Sequence, residues 1–253
     1  MEVHHHPDLH HKRKNFKEYF LEFLMIFLAV TMGFIAENLR EHISDKEQVQ
    51  RYMQSMVNNL KSDGEMYRSY DSMSVSYCTT IDSIFTLLNN NIKSTGQIYY
   101  LARTLTMLGS FIPSVHASSY LQMTGTGAVR LIKHQPVADS IASYYQLIKS
   151  FDDWTAIQRR RVDNLIAVNN KLFSAGVFFS MYKAMQSSGD SLQNIIKTNP
   201  HLETTDAPSV NMVMMEYQYY YGFLKLMIQR TDQAWAQANN LAALLKKEYN
   251  IKG

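Results

Sequence analysis

A single cysteine, Cys78, stands among 253 residues. One thiol closes no intramolecular disulfide and builds no cysteine-based zinc site. Proline and glycine are scarce, at 5 and 10 residues, against roughly 13 and 18 expected from usual shares of about 5% and 7%. Few breakers means long uninterrupted elements. An excess of one charge is missing too. The formal net charge of +3 is too small to imply nucleic-acid binding, which needs a clustered basic face. No G-x-S-x-G, H-E-x-x-H, P-loop or dinucleotide fingerprint occurs. Gly125-Thr126-Gly127 has neither a following Lys-Ser/Thr pair nor a preceding strand, which argues against a phosphate cradle. His42, His116, His134 and His201 are scattered without metal-ligand spacing. The expectation is a non-enzymatic chain with no cofactor, no metal site and no nucleic-acid partner. A 46% hydrophobic share excludes a disordered chain, whose apolar content would not repay the entropy of ordering.

One long apolar run is present, Tyr19 to Ala36, with Glu22 its only charged residue. Its 18 residues span roughly 27 Å as a helix, close to a hydrocarbon thickness of about 30 Å. A cleaved signal peptide is the rival reading. The run exceeds the usual apolar stretch of about 7–15 residues, and it passes from Ala36 into Glu37-Asn38-Leu39-Arg40-Glu41 without a small-residue cleavage site. An uncleaved transmembrane helix over 16–36 is therefore expected. Lys12, Arg13, Lys14 and Lys17 crowd one flank, whereas Arg40 and Lys46 are interleaved with Glu37, Glu41, Asp45 and Glu47 on the other. The positive-inside rule puts residues 1–15 in the cytoplasm. Residues 37–253 then lie outside, in the periplasm of a bacterial inner membrane. The tail histidines His4, His5, His6, His10 and His11 read as part of a basic segment at an anionic leaflet, with metal binding the lesser alternative.

Beyond the run, apolar residues recur every three or four positions: Met53, Met56, Leu60, Tyr67, Tyr70, Tyr77, Ile81, Ile84 and Leu88, interrupted by Asp63 and Ser74. That is a helical seam. Asn89-Asn90-Asn91 should end it. A second seam runs from Ile141 through Tyr144, Ile148, Phe151, Thr155, Gln158, Val162, Leu165, Asn169 and Leu172 to Gly176 and Phe179. Pro136 starts it and Ser187-Ser188-Gly189 ends it. The third follows Pro208 with Val210, Val213, Tyr217, Tyr220, Leu224, Met227, Thr231, Ala234, Ala238, Leu241 and Leu245. Long helices are thus expected over about 37–91, 137–187 and 208–249, with shorter helices and a hairpin in 92–135. The expected fold is all-α: a transmembrane helix continuing into an elongated antiparallel bundle outside the membrane.

Several blocks in fixed order carry a resemblance. They are Ala36-Glu37; Tyr52-Met53-Gln54-Ser55-Met56-Val57-Asn58-Asn59-Leu60-Lys61-Ser62-Asp63; Ser119-Tyr120-Leu121-Gln122-Met123-Thr124-Gly125; Val129-Arg130-Leu131-Ile132-Lys133; and Ile141-Ala142-Ser143-Tyr144-Tyr145. Over roughly residues 16–165 the chain resembles a family of single-pass membrane proteins of Bacteroidota-type bacteria whose domain has no assigned function. The resemblance implies an anchor and an outer helical domain, and it brings no chemistry.

Four features are candidates for function. Glu22 lies about one turn inside the apolar run, where a carboxylate is costly. It reaches the headgroup boundary, contacts a partner helix, or lines an ion path. Arg159, Arg160 and Arg161 form a basic run with Asp152, Asp153 and Asp163 as helical neighbours, either a solvated face or a dock for an acidic partner. Tyr217, Tyr219, Tyr220, Tyr221 and Phe223 surround one helix, and tyrosine suits interfaces as well as cores. Cys78 sits in the first seam and reads as a packing residue. The function expected is a membrane-anchored structural or accessory subunit that assembles with itself or with a larger membrane complex. The alternatives are a sensor-like ligand-binding bundle acting through a partner, since the tail is too short for an output domain, and a subunit of an ion-coupled assembly using Glu22.

Overall fold

A computed structural model describes residues 15–90, 92–107, 115–187 and 189–252. The basic and histidine-rich tail through Lys14, together with Gly109, Pro113 and Ser188, lies outside the described residues. Among the described residues seven α-helices follow one another: α1 Phe16–Asn89, α2 Thr95–Met107, α3 Ser118–Gly125, α4 Gln135–Leu172, α5 Ala175–Ser187, α6 Gly189–Lys197 and α7 Ala207–Tyr249. A 3₁₀ turn, Ala128–Leu131, separates α3 from α4. Among the described residues there is no strand. The protein is all-α.

The chain divides into two compact units, residues 1–51 and 52–253, and α1 contributes to both. In the first unit α1 carries one stretch long and apolar enough to cross a membrane, and none of that stretch is buried by the chain. Phe20, Phe23, Ile26, Phe27, Met32 and Phe34 all face outward. Ring stacking of Phe23 on Phe27, one turn apart, is the local contact that the helix itself supplies.

The second unit is built on the three seams. Met53, Met56, Leu60, Tyr67, Tyr70, Tyr77, Ile81, Ile84 and Leu88 are all buried, as are Val213 through Leu245 at the seam positions of α7. Residue pairs fix the directions. Asp63 and Tyr67 of α1 meet Tyr144 and Phe151 of α4 in ascending order, so these two helices run parallel. Arg68 and Asp71 meet Asp232 and Thr231, so α7 runs against α1. Trp154 and Asn164 meet Phe223 and Glu216, so α7 runs against α4 too. The chain returns between α1 and α4 through α2, which packs on α4, α5 and α6, and α3, whose Ser119 bonds Ser55 and Asn59 of α1. Gly127, at φ 70°, makes the left-handed turn into the 3₁₀ segment.

Helix ends match the local chemistry. Pro136 and Pro208 occupy first-turn positions of α4 and α7, and Asp206 caps α7 by accepting from the Ser209 amide at 2.9 Å. Helix α1 ends at Asn89.

The expected continuous helix over 137–187 is two helices. Phe173 is extended, at φ −113° and ψ 139°. Tertiary bonds hold it there: the Ser174 amide donates to the Tyr99 hydroxyl at 2.7 Å, and the Glu203 amide donates to the Leu172 carbonyl at 3.0 Å. The face rotates at the break. Gly176 and Phe179, placed on the seam by periodicity, are exposed, and Met181 and Ala184 are buried instead. Helix α6 is an addition to the expected elements.

Candidate functional site

The core of the second unit is rich in tyrosine. Tyr67, Tyr70, Tyr99, Tyr144, Tyr217 and Tyr220 are among its largest fully buried side chains. A hydroxyl taken from water favours a polar partner, and those of Tyr67, Tyr99, Tyr144 and Tyr217 find one, so the core contains polar layers. One of them centres on Asp63, which is wholly buried. Tyr144 donates to its Oδ2 at 3.0 Å, and the His116 amide donates to its Oδ1 at 2.9 Å. The His116 Nδ1 lies 2.7 Å from that same oxygen, with half of the ring exposed. Tyr67 joins through its hydroxyl, 3.1 Å from that of Tyr144. Burial above all pushes the Tyr67 and Tyr144 hydroxyls well above the ordinary phenol range, with Tyr67 adding to it at Tyr144 and Asp63 at both. These groups stay protonated and serve as fixed donors.

A second layer joins α1 to α7. Thr231 donates to Asp71, and Arg68 lies 3.7 Å from Asp71 and 2.8 Å from Asp232, with its guanidinium 3.9 Å above the Trp235 ring. Burial raises the Asp71 carboxyl, and Thr231 and Arg68 partly oppose it. Burial also pushes the Tyr70 hydroxyl up to about 12. Further along, Tyr217 donates to Asn169 at 3.1 Å. Such layers work as register marks, since a slip of one turn would strand several buried polar groups.

The sequence candidates divide sharply. Tyr217, Tyr220 and Phe223 are buried against the chain itself, so they form no partner surface; they fall on the same face as the third seam. Tyr219 is 45% exposed, and Tyr221 is partly exposed with Lys225 over its ring at 5.4 Å. Arg159 and Arg160 are exposed, and Arg161 is half-buried with its guanidinium 5.2 Å from the Tyr219 ring. The structure therefore brings together Arg161 and Tyr219 and leaves Arg159 and Arg160 outside that contact. Around this pair, Met212 and Met215 of α7 and Ile157 of α4 are exposed. Asn164 donates to Glu216 at 3.2 Å on the same edge, and Lys171 reaches the Met212 sulfur at 3.4 Å. The result is an outward strip along the α4–α7 edge, apolar with a basic margin.

Glu22 faces outward on α1 within the apolar stretch. Cys78 is buried, and burial raises its thiol above the ordinary range, the opposite of nucleophile activation. Among the described residues no three His, Cys, Asp or Glu side chains converge on one point. Sequence reading missed Asp63 as a centre. A lone acid on an apolar seam was the available signal, and His116, its partner 53 residues away, could not be paired with it by periodicity.

Comparison with protein-family models, curated proteins and solved structures finds no match for this chain.

Proposed function

We propose that the chain is a non-enzymatic accessory subunit, inserted in a bacterial inner membrane through residues 16–36, with its helical bundle in the periplasm and contacts to copies of itself or to a larger membrane complex. One observation carries this reading: the apolar stretch of α1 has no cover from its own chain, so bilayer lipid and neighbouring helices are its natural surroundings. Lys17 and the basic residues before it supply the orientation, by the positive-inside rule. The likeness to single-pass Bacteroidota-type proteins points to the same topology.

In this reading the α4–α7 strip is the docking edge. Exposed methionine and tyrosine with arginine at the margin match the composition of protein interfaces. Glu22 is a contact between transmembrane helices, where a carboxylate inside the bilayer finds a polar partner.

Photo-crosslinking residues at Met215 and Tyr219, with Ala236, exposed further along α7, as control, test the docking edge. Specific adducts at the first two positions and none at Ala236 are expected. Equal labelling at all three, or none, contradicts it. Glu22→Gln separates the roles of that residue: disrupted assembly supports a contact, whereas intact assembly with lost function supports ion coupling.

A further inference from the structure

Where α1 passes α7, the second unit holds an open groove of about 680 Å³, within the range of roughly 300–1,000 Å³ usual for small-molecule sites. Lys61, Gly64 and Arg68 line it from α1, Trp235, Ala242 and Lys246 from α7, and Lys252 from beyond the end of α7. Two long helices in contact ordinarily interdigitate side chains. Here Gly64 contributes none and is covered by the Trp235 indole, and Ala242 contributes only a methyl group.

Gly64 is not required by its backbone. It lies inside a helix with no positive φ, where glycine is disfavoured relative to alanine. A Cβ there would stand 3.5 Å from Trp235 Cδ1 and 3.8 Å from its Nε1, an ordinary contact. What the glycine provides is close approach of the Trp235 indole edge to α1.

The charges around the groove are unbalanced. Arg68 is engaged, bonded to Asp232 and stacked on Trp235. Lys61, Lys246 and Lys252 have no carboxylate within ion-pair reach among the described residues. Glu65 is the one acidic residue among the described residues of the lining. Three lysines without a carboxylate partner line one groove with Trp235, and an anion bound there would supply the missing counter-charge. Lysine serves as a point-charge ligand for phosphate, arginine forks suit phosphate and carboxylate alike, and the fork of Arg68 is already occupied.

We propose that this groove binds an organic phosphate. The phosphate is held by Lys61, Lys246 and Lys252, and the organic part rests against Trp235 in the same groove. A soluble phosphate ester and a phospholipid headgroup share this chemistry.

The test uses the whole chain in phosphatidylcholine nanodiscs with Trp154→Phe, which leaves Trp235 as the sole indole of the two in the chain. Phenyl phosphate is titrated while Trp235 emission is read, with phenol as the uncharged control. Phosphatidic acid is introduced into the nanodiscs in a separate series. A saturable change with phenyl phosphate and not with phenol identifies a soluble ester site. A change with phosphatidic acid alone identifies a headgroup site. In either case the double variant Lys61→Gln/Lys246→Gln should weaken binding at least tenfold with an unchanged melting temperature. No saturable response to either probe, or a response untouched in the double variant, overturns the proposal. Broadening of the phenyl phosphate ³¹P resonance by the wild-type chain reads soluble-ester binding without the Trp154 substitution.

Discussion

Tyr144 of α4 donates a 3.0 Å hydrogen bond to the carboxylate of Asp63 on α1, and both side chains are sealed from solvent. A buried acid is costly unless its oxygens are satisfied. Asp63 meets that condition by gathering a hydroxyl, a backbone amide and a ring nitrogen from two separate segments. It thereby ties α1, α4 and the His116 segment into one register.

Asp63→Ala removes the shared acceptor and strands the Tyr144 hydroxyl and the His116 amide. A loss of about 2–4 kcal/mol is expected from such orphaned donors. Asp63→Asn keeps one carbonyl oxygen and should lose roughly half as much. Chemical denaturation of the whole chain in detergent, followed by circular dichroism, measures both. Equal and negligible losses would refute the role given to Asp63.

Asp71 gives a pH dependence of definite sign. Its carboxyl is raised above 3.8 in the folded chain, so its contribution is fully present below the unfolded value and is lost as pH rises through the folded one. Asp71→Asn retains an acceptor for Thr231 and removes the desolvated charge. The variant should equal wild type at pH values below 3.8 and exceed it at neutral pH, by under about 1 kcal/mol because Arg68 offsets part of the cost. Melting temperatures across that window test it. A gap that shrinks as pH rises would contradict it.

The same substitution should act oppositely at two glycines. Gly64→Ala adds a methyl group in ordinary contact with Trp235 and should stabilise by about 0.5–1 kcal/mol through helix propensity. At Gly96 a Cβ would stand 1.9 Å from the Ile196 carbonyl oxygen. Backbone must move there, so Gly96→Ala should cost about 1–3 kcal/mol. Thermal melts of the two variants, run side by side, decide the matter.

Tyr99→Phe removes two bonds at the α4–α5 break, one received from the Ser174 amide and one donated to the His201 carbonyl. A loss of about 1–3 kcal/mol is expected, together with faster hydrogen exchange at Ser174. Unchanged exchange there would show that the break does not depend on Tyr99.

Periodicity made the three seams legible because each long helix buries one stripe, and Asn89, Pro136 and Pro208 marked ends through local chemistry. The break at Phe173 was hidden because its causes, Tyr99 and Glu203, are distant in sequence. Helix α6 is only nine residues long, too short for its pattern to stand out. The parallel course of α1 and α4 depends on the return through α2 and α3, which spacing does not encode. The tyrosine cluster was separable in principle: Tyr217 and Tyr220 share the seam phase of Leu224 and Met227, and Tyr219 and Tyr221 do not. Of the candidate site, the contact between Arg161 and Tyr219 came from residues already singled out. The groove beside Trp235 left only one trace, a glycine inside a long helix.

The most direct test of the membrane-subunit reading is purification in mild detergent at native expression, with mass determination and identification of every co-purifying chain. A defined homo-oligomer, or a stoichiometric membrane partner, is the expected result. A monodisperse monomer with no partner would contradict it.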